Sequence, residues 1–494
     1  MINRVGEKGM EEMFKYYMEL YSKMLEDVAG YYRYSASVME KFLQTYNYSF
    51  KNEKETKALL PTNGHDIYNY VARYGMSNLQ IQAVMELDGK LDFNKLNRAV
   101  KLSVDAEPVL KSRFVEDITP YWAPIDNINI VKFCTIVETD DSDKAIQDFI
   151  ESSVDLDNDP MLSVKLIRTT DKDVIALKIN HTCCDGTGVK EYLQLLADIY
   201  SRLDQEESKF VAIPRIAGRK DQDRMLNTLG ITNTDSAFIP GSDIYHPTWL
   251  FPWEQSGSNI SCMSVGRLPS GYINQIREYS KSKGATLNDY ILAACYRAMN
   301  QIKQPVYGLP MEFPITIDLR RYLPDRKTKA IRNFSGSVNT KLAMEADEHF
   351  SETLQRISIM MKEIKQGYPG LQSALGLERL ENISFTDVLA YYRTVMDTKR
   401  IQEFCPLYCG DKCVPTLSNI GYVSDSLIKF GDRTVIDAYI LPPVIRAPGL
   451  LLIAGTYNSV LTLAAGYYKS TVSSDNVDKL IDKIKQELIE GCKS

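Results

Sequence analysis

The stretch from Val174 to Leu203 changes its period once, and that change restricts the chain to a layered fold of strands and helices. Val174 and Ala176, with the aliphatic flank of Leu177 and Ile179, form a short apolar run of the kind expected for a buried strand. The run breaks at Asn180-His181-Thr182-Cys183-Cys184-Asp185-Gly186-Thr187-Gly188, and from Val189 to Leu203 apolar residues come at helical spacing. Strand, tight polar turn and helix in succession predict an α/β chain. The turn carries one of only four histidines in 494 residues. A histidine that ends a buried strand, followed four residues on by an aspartate and then a glycine, is a placement that chemistry can use and packing rarely requires. His181, Asp185 and Gly186 are therefore the first candidate site residues.

The same alternation of short strands and helices runs along most of the chain. Leu79 to Leu87 reads as a strand closed by Asp88-Gly89, and Asp92 as the cap of a helix through Leu96, Ala99, Val100 and Val104. Glu107 to Phe114 reads as a turn into a strand, followed by a helix near Asp143–Ser152 and a strand at Leu162–Ile167. Residues 204–260 hold no sustained period and read as a bridge between two halves. A second run of similar type follows: a strand at Cys262–Leu268, helices at Ser270–Lys283 and from the Thr286 cap, a strand at Glu312–Arg321, helices within 346–400, and late strands at Val435–Ile440, Leu450–Thr456 and Val460–Ala465. An amphipathic helix at Asn476–Ile489 closes the chain. Residues 1–58 stand apart. Met13, Phe14, Tyr17, Leu20, Tyr21 and Met24 at helical spacing, an interruption at Gly30, and Val38 to Tyr46 predict a helical hairpin and linker that could dock on the body of the protein, on a partner or on a membrane surface.

Composition narrows the functional classes. A net charge of -6 and no basic run longer than Arg326-Lys327-Thr328-Lys329 argue against a nucleic-acid surface. No segment approaches the roughly 18 apolar residues of a spanning helix, and the first residues lack the basic and apolar regions of a signal peptide, so the expected location is cytoplasmic. Nine scattered cysteines fit free thiols in a reducing compartment. The Cys405, Cys409 and Cys413 spacing does not suit structural zinc, so no metal site is expected.

Four stretches resemble the condensation-domain and alcohol-acetyltransferase branch of the coenzyme A-dependent acyltransferases, whose fold is that of chloramphenicol acetyltransferase. They are Leu87 to Asp92 with Glu107 to Phe114; Val154-Asp155-Leu156 and Pro160-Met161-Leu162 leading to the H-x-x-x-D-G of His181 to Gly186; Pro314 to Arg321 with Asn333-Phe334; and Leu417-Ser418-Asn419-Ile420-Gly421. Two positions depart from the pattern. Asn180 stands where many condensation domains carry a further histidine, and Lys111 where arginine is more usual; the first tilts the resemblance toward stand-alone acyltransferases. The resemblance covers about residues 75–490. It implies two similar α/β halves, 59–235 and 236–494, with mixed sheets flanked by helices and an active-site tunnel between them.

The chemistry the resemblance implies is acyl transfer from a coenzyme A or carrier-protein thioester to an alcohol or amine. A neutral imidazole suits the general base, and no G-x-S-x-G elbow provides a serine for an acyl-enzyme. His181 is the expected base, Asp185 the loop-fixing partner of an arginine from the other half, with Arg320 nearest the motif and Arg321 the alternative. Gly186 is expected to let the backbone turn. Ser418, Asn419 and Asn333 are candidates for holding the oxyanion or substrate. No tightly bound cofactor is expected, the acyl thioester being a substrate. The expected partners are the small-molecule donor and acceptor, with a carrier protein and a partner for the N-terminal hairpin as further options. The competing expectation is a non-catalytic binding or scaffolding protein of the same fold.

Overall fold

A computed structural model describes residues 60–74, 77–203, 210–233, 237, 249–252, 260–305, 308–396, 414–445, 449–469 and 472–493. They belong to one unit running from Ala58 to Ser494. The hairpin expected at 1–58 and the cysteines at 405–413 lie outside the described residues.

In chain order the strands are β1 Leu60–Pro61, β2 Gln80–Leu87, β3 Ser112–Val115, β4 Tyr121–Pro124, β5 Cys134–Glu138, β6 Leu162–Arg168, β7 Asp173–Asn180, β8 Ser261–Leu268, β9 Met311–Asp318, β10 Ser335–Leu342, β11 Val414–Tyr422, β12 Lys429–Phe430, β13 Arg433–Leu441, β14 Gly449–Tyr457 and β15 Val460–Tyr468. One six-stranded sheet has the order β12-β13-β2-β7-β6-β5, the other β10-β9-β11-β14-β15-β8, and β1-β4-β3 form a small third sheet. Both large sheets are mixed, with β5 parallel to β6 and β11 parallel to β9 and β14 among antiparallel neighbours. Each is flanked by helices and has its own apolar core.

Local sequence explains most elements. All eight residues of β7 are buried, because both faces of this central strand are covered. The helix Gly186–Arg202 turns Val189, Tyr192, Leu193, Leu196 and Ile199 inward at three- and four-residue spacing. Asp92 caps Phe93–Ala106 through Lys95 N at 3.1 Å, and Thr286 with Asp289 forms a reciprocal capping box on Leu287–Ile302.

One expectation needs correction. The span 236–494 is not confined to the second half: β13 crosses back and pairs antiparallel with β2, from Val435 opposite Leu87 to Leu441 opposite Gln82. Complementary apolar faces outweigh order along the chain. The bridge at 204–260 also does more than connect. Its helix Asp221–Thr228 buries Met225, and the fully buried Arg219 meets Asp66 while donating to the carbonyls of Cys183 (3.1 Å) and Ile331 (2.9 Å). Among the described residues, no helix is long and apolar enough to cross a membrane.

Candidate active site

The turn after β7 is built by hydrogen bonds that any strand end could make, then sharpened by ones that few make. Asn180 Oδ1 accepts from Thr182 N at 2.9 Å, closing the turn locally. His181 N donates to Leu79 O at 2.7 Å, and Leu79 takes φ 56° to present that carbonyl, a left-handed conformation that a leucine adopts only under constraint. Asp185 then caps the helix Gly186–Arg202, accepting from Gly188 N at 2.8 Å.

Asp185 is the joint between the halves. Arg320 reaches it from just beyond β9, Nη1 to Oδ2 at 3.0 Å and Nη2 to Oδ1 at 3.2 Å, and Phe334 N donates to Oδ2 at 2.7 Å. Burial pushes the Asp185 carboxyl up, but the Arg320 charge and these hydrogen bonds outweigh it and hold the carboxyl below its usual range. Arg321, the alternative arginine, is exposed.

His181 is held from the same side. Its Nδ1 lies 3.0 Å from Asn333 Oδ1, across 152 residues of sequence. Asn333 Nδ2 donates to the carbonyls of His181 (2.7 Å) and Thr182 (2.9 Å), which assigns the amide: Oδ1 must be the atom facing the ring. Nδ1 therefore carries the hydrogen, and the neutral ring keeps its lone pair on Nε2. Burial lowers the His181 pKa, outweighing the raising effect of nearby carbonyls, Asp185 and Asn333. This corrects the expectation for Asn333. Its amide is committed to the histidine and the turn, so it positions the imidazole rather than contacting substrate. Phe334, beside Asn333 in the same motif, is fully buried in a small core with Leu319, Leu323 and Leu375.

His181, Asp185 and Gly186 line a cavity of about 100 Å³ between the two halves, closed on the other side by Thr316, Asp318, Ser335, Ser418 and Asn419. Apart from Thr187, its remaining wall is apolar: Ile81, Ile420, Pro442, Pro443, Leu451 and Ile453. A smaller cavity of about 60 Å³ lies on the opposite side of the turn, against Asn180 and Thr182, with Arg73, Arg113 and Met161. The two late candidates differ. Thr316 Oγ1 donates to Ser418 Oγ at 3.0 Å, which leaves the Ser418 hydroxyl hydrogen for the cavity. Asn419 is spent on structure, its Nδ2 on Asn288 Oδ1 and its Oδ1 on Gly421 N, both at 3.0 Å. Gly186 has no positive φ, so backbone freedom is not its reason; a Cβ there would lie 3.2 Å from Ile420 Cγ2.

Residues 75–214 match the family model described as the condensation domain. Solved structures extend the match to nearly the whole chain. The chain has the condensation-domain fold. Similar structures include the first condensation domain of the calcium-dependent antibiotic synthetase with a substrate analogue, at TM-score 0.62 and 14% identity, covering 89% of this chain and 97% of that one. Another is the starter condensation domain of rhizomide synthetase in complex with C8-CoA, at 0.61 and 12%, covering 88% and 95%. A third is the X-domain from teicoplanin biosynthesis in complex with OxyB, at 0.56 and 14%, covering 90% and 95%. No curated protein sequence matches this chain.

On this condensation-domain fold, sequence reading missed two contributors. Lys190, four residues after Gly186, donates its Nζ to Ile420 O at 2.6 Å and Tyr422 O at 3.1 Å, tying the helix after the turn to β11. The other is Asn333 in its positioning role. A lysine on a helix face gives no sequence signal. Asn333 gave one only as a candidate for holding the oxyanion or substrate.

Proposed function

We propose that this chain transfers an acyl group from a thioester to an alcohol or amine, with His181 as general base and no covalent acyl-enzyme. One observation carries the reading: the Asn333 amide, oriented by two carbonyls, leaves the imidazole of His181 with its hydrogen on Nδ1 and its lone pair on Nε2, in a cavity between the halves. Acceptor and thioester meet in this cavity. The acceptor oxygen or nitrogen attacks the thioester carbonyl as Nε2 takes its proton, and the new C–O or C–N bond forms. The Ser418 hydroxyl, which lines the same cavity, donates to the tetrahedral oxyanion in this reading; a donor of this kind contributes roughly 3 to 4 kcal/mol. Collapse breaks the C–S bond, and the leaving thiolate recovers the proton from the imidazolium. Asp185 and Arg320 hold the turn and take no proton.

The donor is an acyl-coenzyme A or a carrier-bound acyl thioester, used as substrate; the likeness to a domain in complex with C8-CoA supports the first. The second reading is a binding protein of the same fold, favoured by the likeness to an X-domain in complex with OxyB. A scaffold has no use for an imidazole of fixed tautomer, which is why the enzyme reading is preferred. His181→Ala separates the two. With a panel of acyl thioesters, alcohols and amines, the wild type should release thiol about 10²- to 10⁴-fold faster than the variant for at least one pair. Equal rates across the panel would leave the binding reading in place.

A further inference from the structure

Ile420 sits at an irregularity of β11, where the register to β14 shifts between Asn419 and Gly421 and Gly421 takes φ 65°. That irregularity re-aims the side chain, a common use of a bulge beside a site. The backbone there is fixed from three directions: Lys190 Nζ holds the Ile420 carbonyl, Asn419 Oδ1 accepts from Gly421 N, and Asn419 Nδ2 donates to Asn288. The side chain fills the space between two glycines. A Cβ on Gly186 would lie 3.2 Å from Ile420 Cγ2, and one on Gly455 would lie 3.0 Å from Ile420 Cδ1. Ile420 thus reaches from the second half onto the first turn of the helix that follows His181, and lines the same cavity as that histidine.

We propose that Ile420 is the end wall of the acyl pocket and restricts the donor to short straight chains, acetyl to butyryl. The inference rests on the thioester-donor reading above and adds the size of the acyl group and the residue that sets it. The wall around Ile420 is apolar, with Ile81, Leu451 and Ile453, which suits an alkyl chain rather than a polar one. Volume sets an upper bound: an apolar cavity of about 150 Å³ holds a six-carbon ring, and this one of about 100 Å³ must also admit the thioester carbonyl and the acceptor atom, so the chain it takes is no longer than about four carbons. The flanking glycines have no side chains to refill the space, so trimming Ile420 lengthens the pocket instead of letting it collapse.

The test is calorimetric titration of the full chain with acetyl-, butyryl-, hexanoyl- and octanoyl-coenzyme A, for the wild type, Ile420→Ala and Ile420→Val. The wild type should bind butyryl-coenzyme A at least about tenfold more tightly than octanoyl-coenzyme A. Ile420→Ala should bring that ratio close to one, with Ile420→Val between them. A wild type that binds all four lengths equally overturns the proposal while leaving the thioester-donor reading intact, and so does a folded Ile420→Ala with the wild-type ratio. Should Ile420→Ala fail to fold, an unmoved ratio in Ile420→Val overturns it. If the wild type binds none of the four, nor the matching acyl-pantetheines, the thioester-donor reading itself falls and takes the proposal with it.

Discussion

Replacing Arg320 with leucine tests the joint between the halves. In the native protein Asp185 accepts four hydrogen bonds: two from Arg320 at 3.0 and 3.2 Å, one from Gly188 N at 2.8 Å and one from Phe334 N at 2.7 Å. Arg320→Leu removes the first two, together with the Arg320 bonds to Glu191, Asp318 and the Arg332 carbonyl, and strands a carboxylate whose side chain is only 7% exposed. Removing one partner of such a buried pair costs about 3 to 5 kcal/mol. The loss should depend on pH. In the wild type Arg320 holds the folded carboxyl below its unfolded value of about 3.9, so its contribution is present above that pH and lost as pH falls through the folded value. In the variant burial is opposed only by the two backbone donors, and the folded carboxyl titrates above about 3.9. Stability of the variant then declines as pH rises through that raised value. The gap between the two proteins is widest at neutral pH and narrows toward pH 4. Urea unfolding followed by tryptophan fluorescence reads it from both halves, since Trp122 and Trp249 are buried in the two separate cores. A loss under about 1 kcal/mol at pH 7.5, or a gap unchanged at pH 5, would refute the reasoning, because an exposed or already neutral Asp185 would behave that way.

Three further outcomes are expected. Asn333→Ala frees the imidazole and should lower kcat about 10²-fold with KM little changed, checked by steady-state thiol release. Because burial lowers the His181 pKa from its ordinary value of about 6.5, the rate should rise with pH and reach half its plateau below pH 6.5, and an inflection above that value would contradict the proposed base. Gly188→Ala places a Cβ 2.6 Å from Cys184 Sγ beneath the site, and a loss of about 1 to 3 kcal/mol in chemical denaturation is expected.

Sequence alone determined the parts whose cause lies within a few residues. The change of period between Val174 and Leu203 gave β7, the turn and the helix, and the Asp92 and Thr286 caps stand where polar residues precede apolar spacing. It failed where short elements carry weak patterns: β4, β5 and the helix Gly64–Ala72 went unread, and the bridge hid the buried Arg219. The H-x-x-x-D-G turn and Arg320 were legible as motifs, but the distance that makes them a pair was not. Only the tertiary structure decided that β13 crosses to β2, that Asn333 faces the imidazole from 152 residues away, and that Ile420 lies between Gly186 and Gly455. These depend on how two apolar cores dock, and docking is governed by the summed fit of surfaces rather than by any local period. The turn from Asn180 to Gly188 carries the histidine; the other half of the molecule determines which of its nitrogens keeps the lone pair.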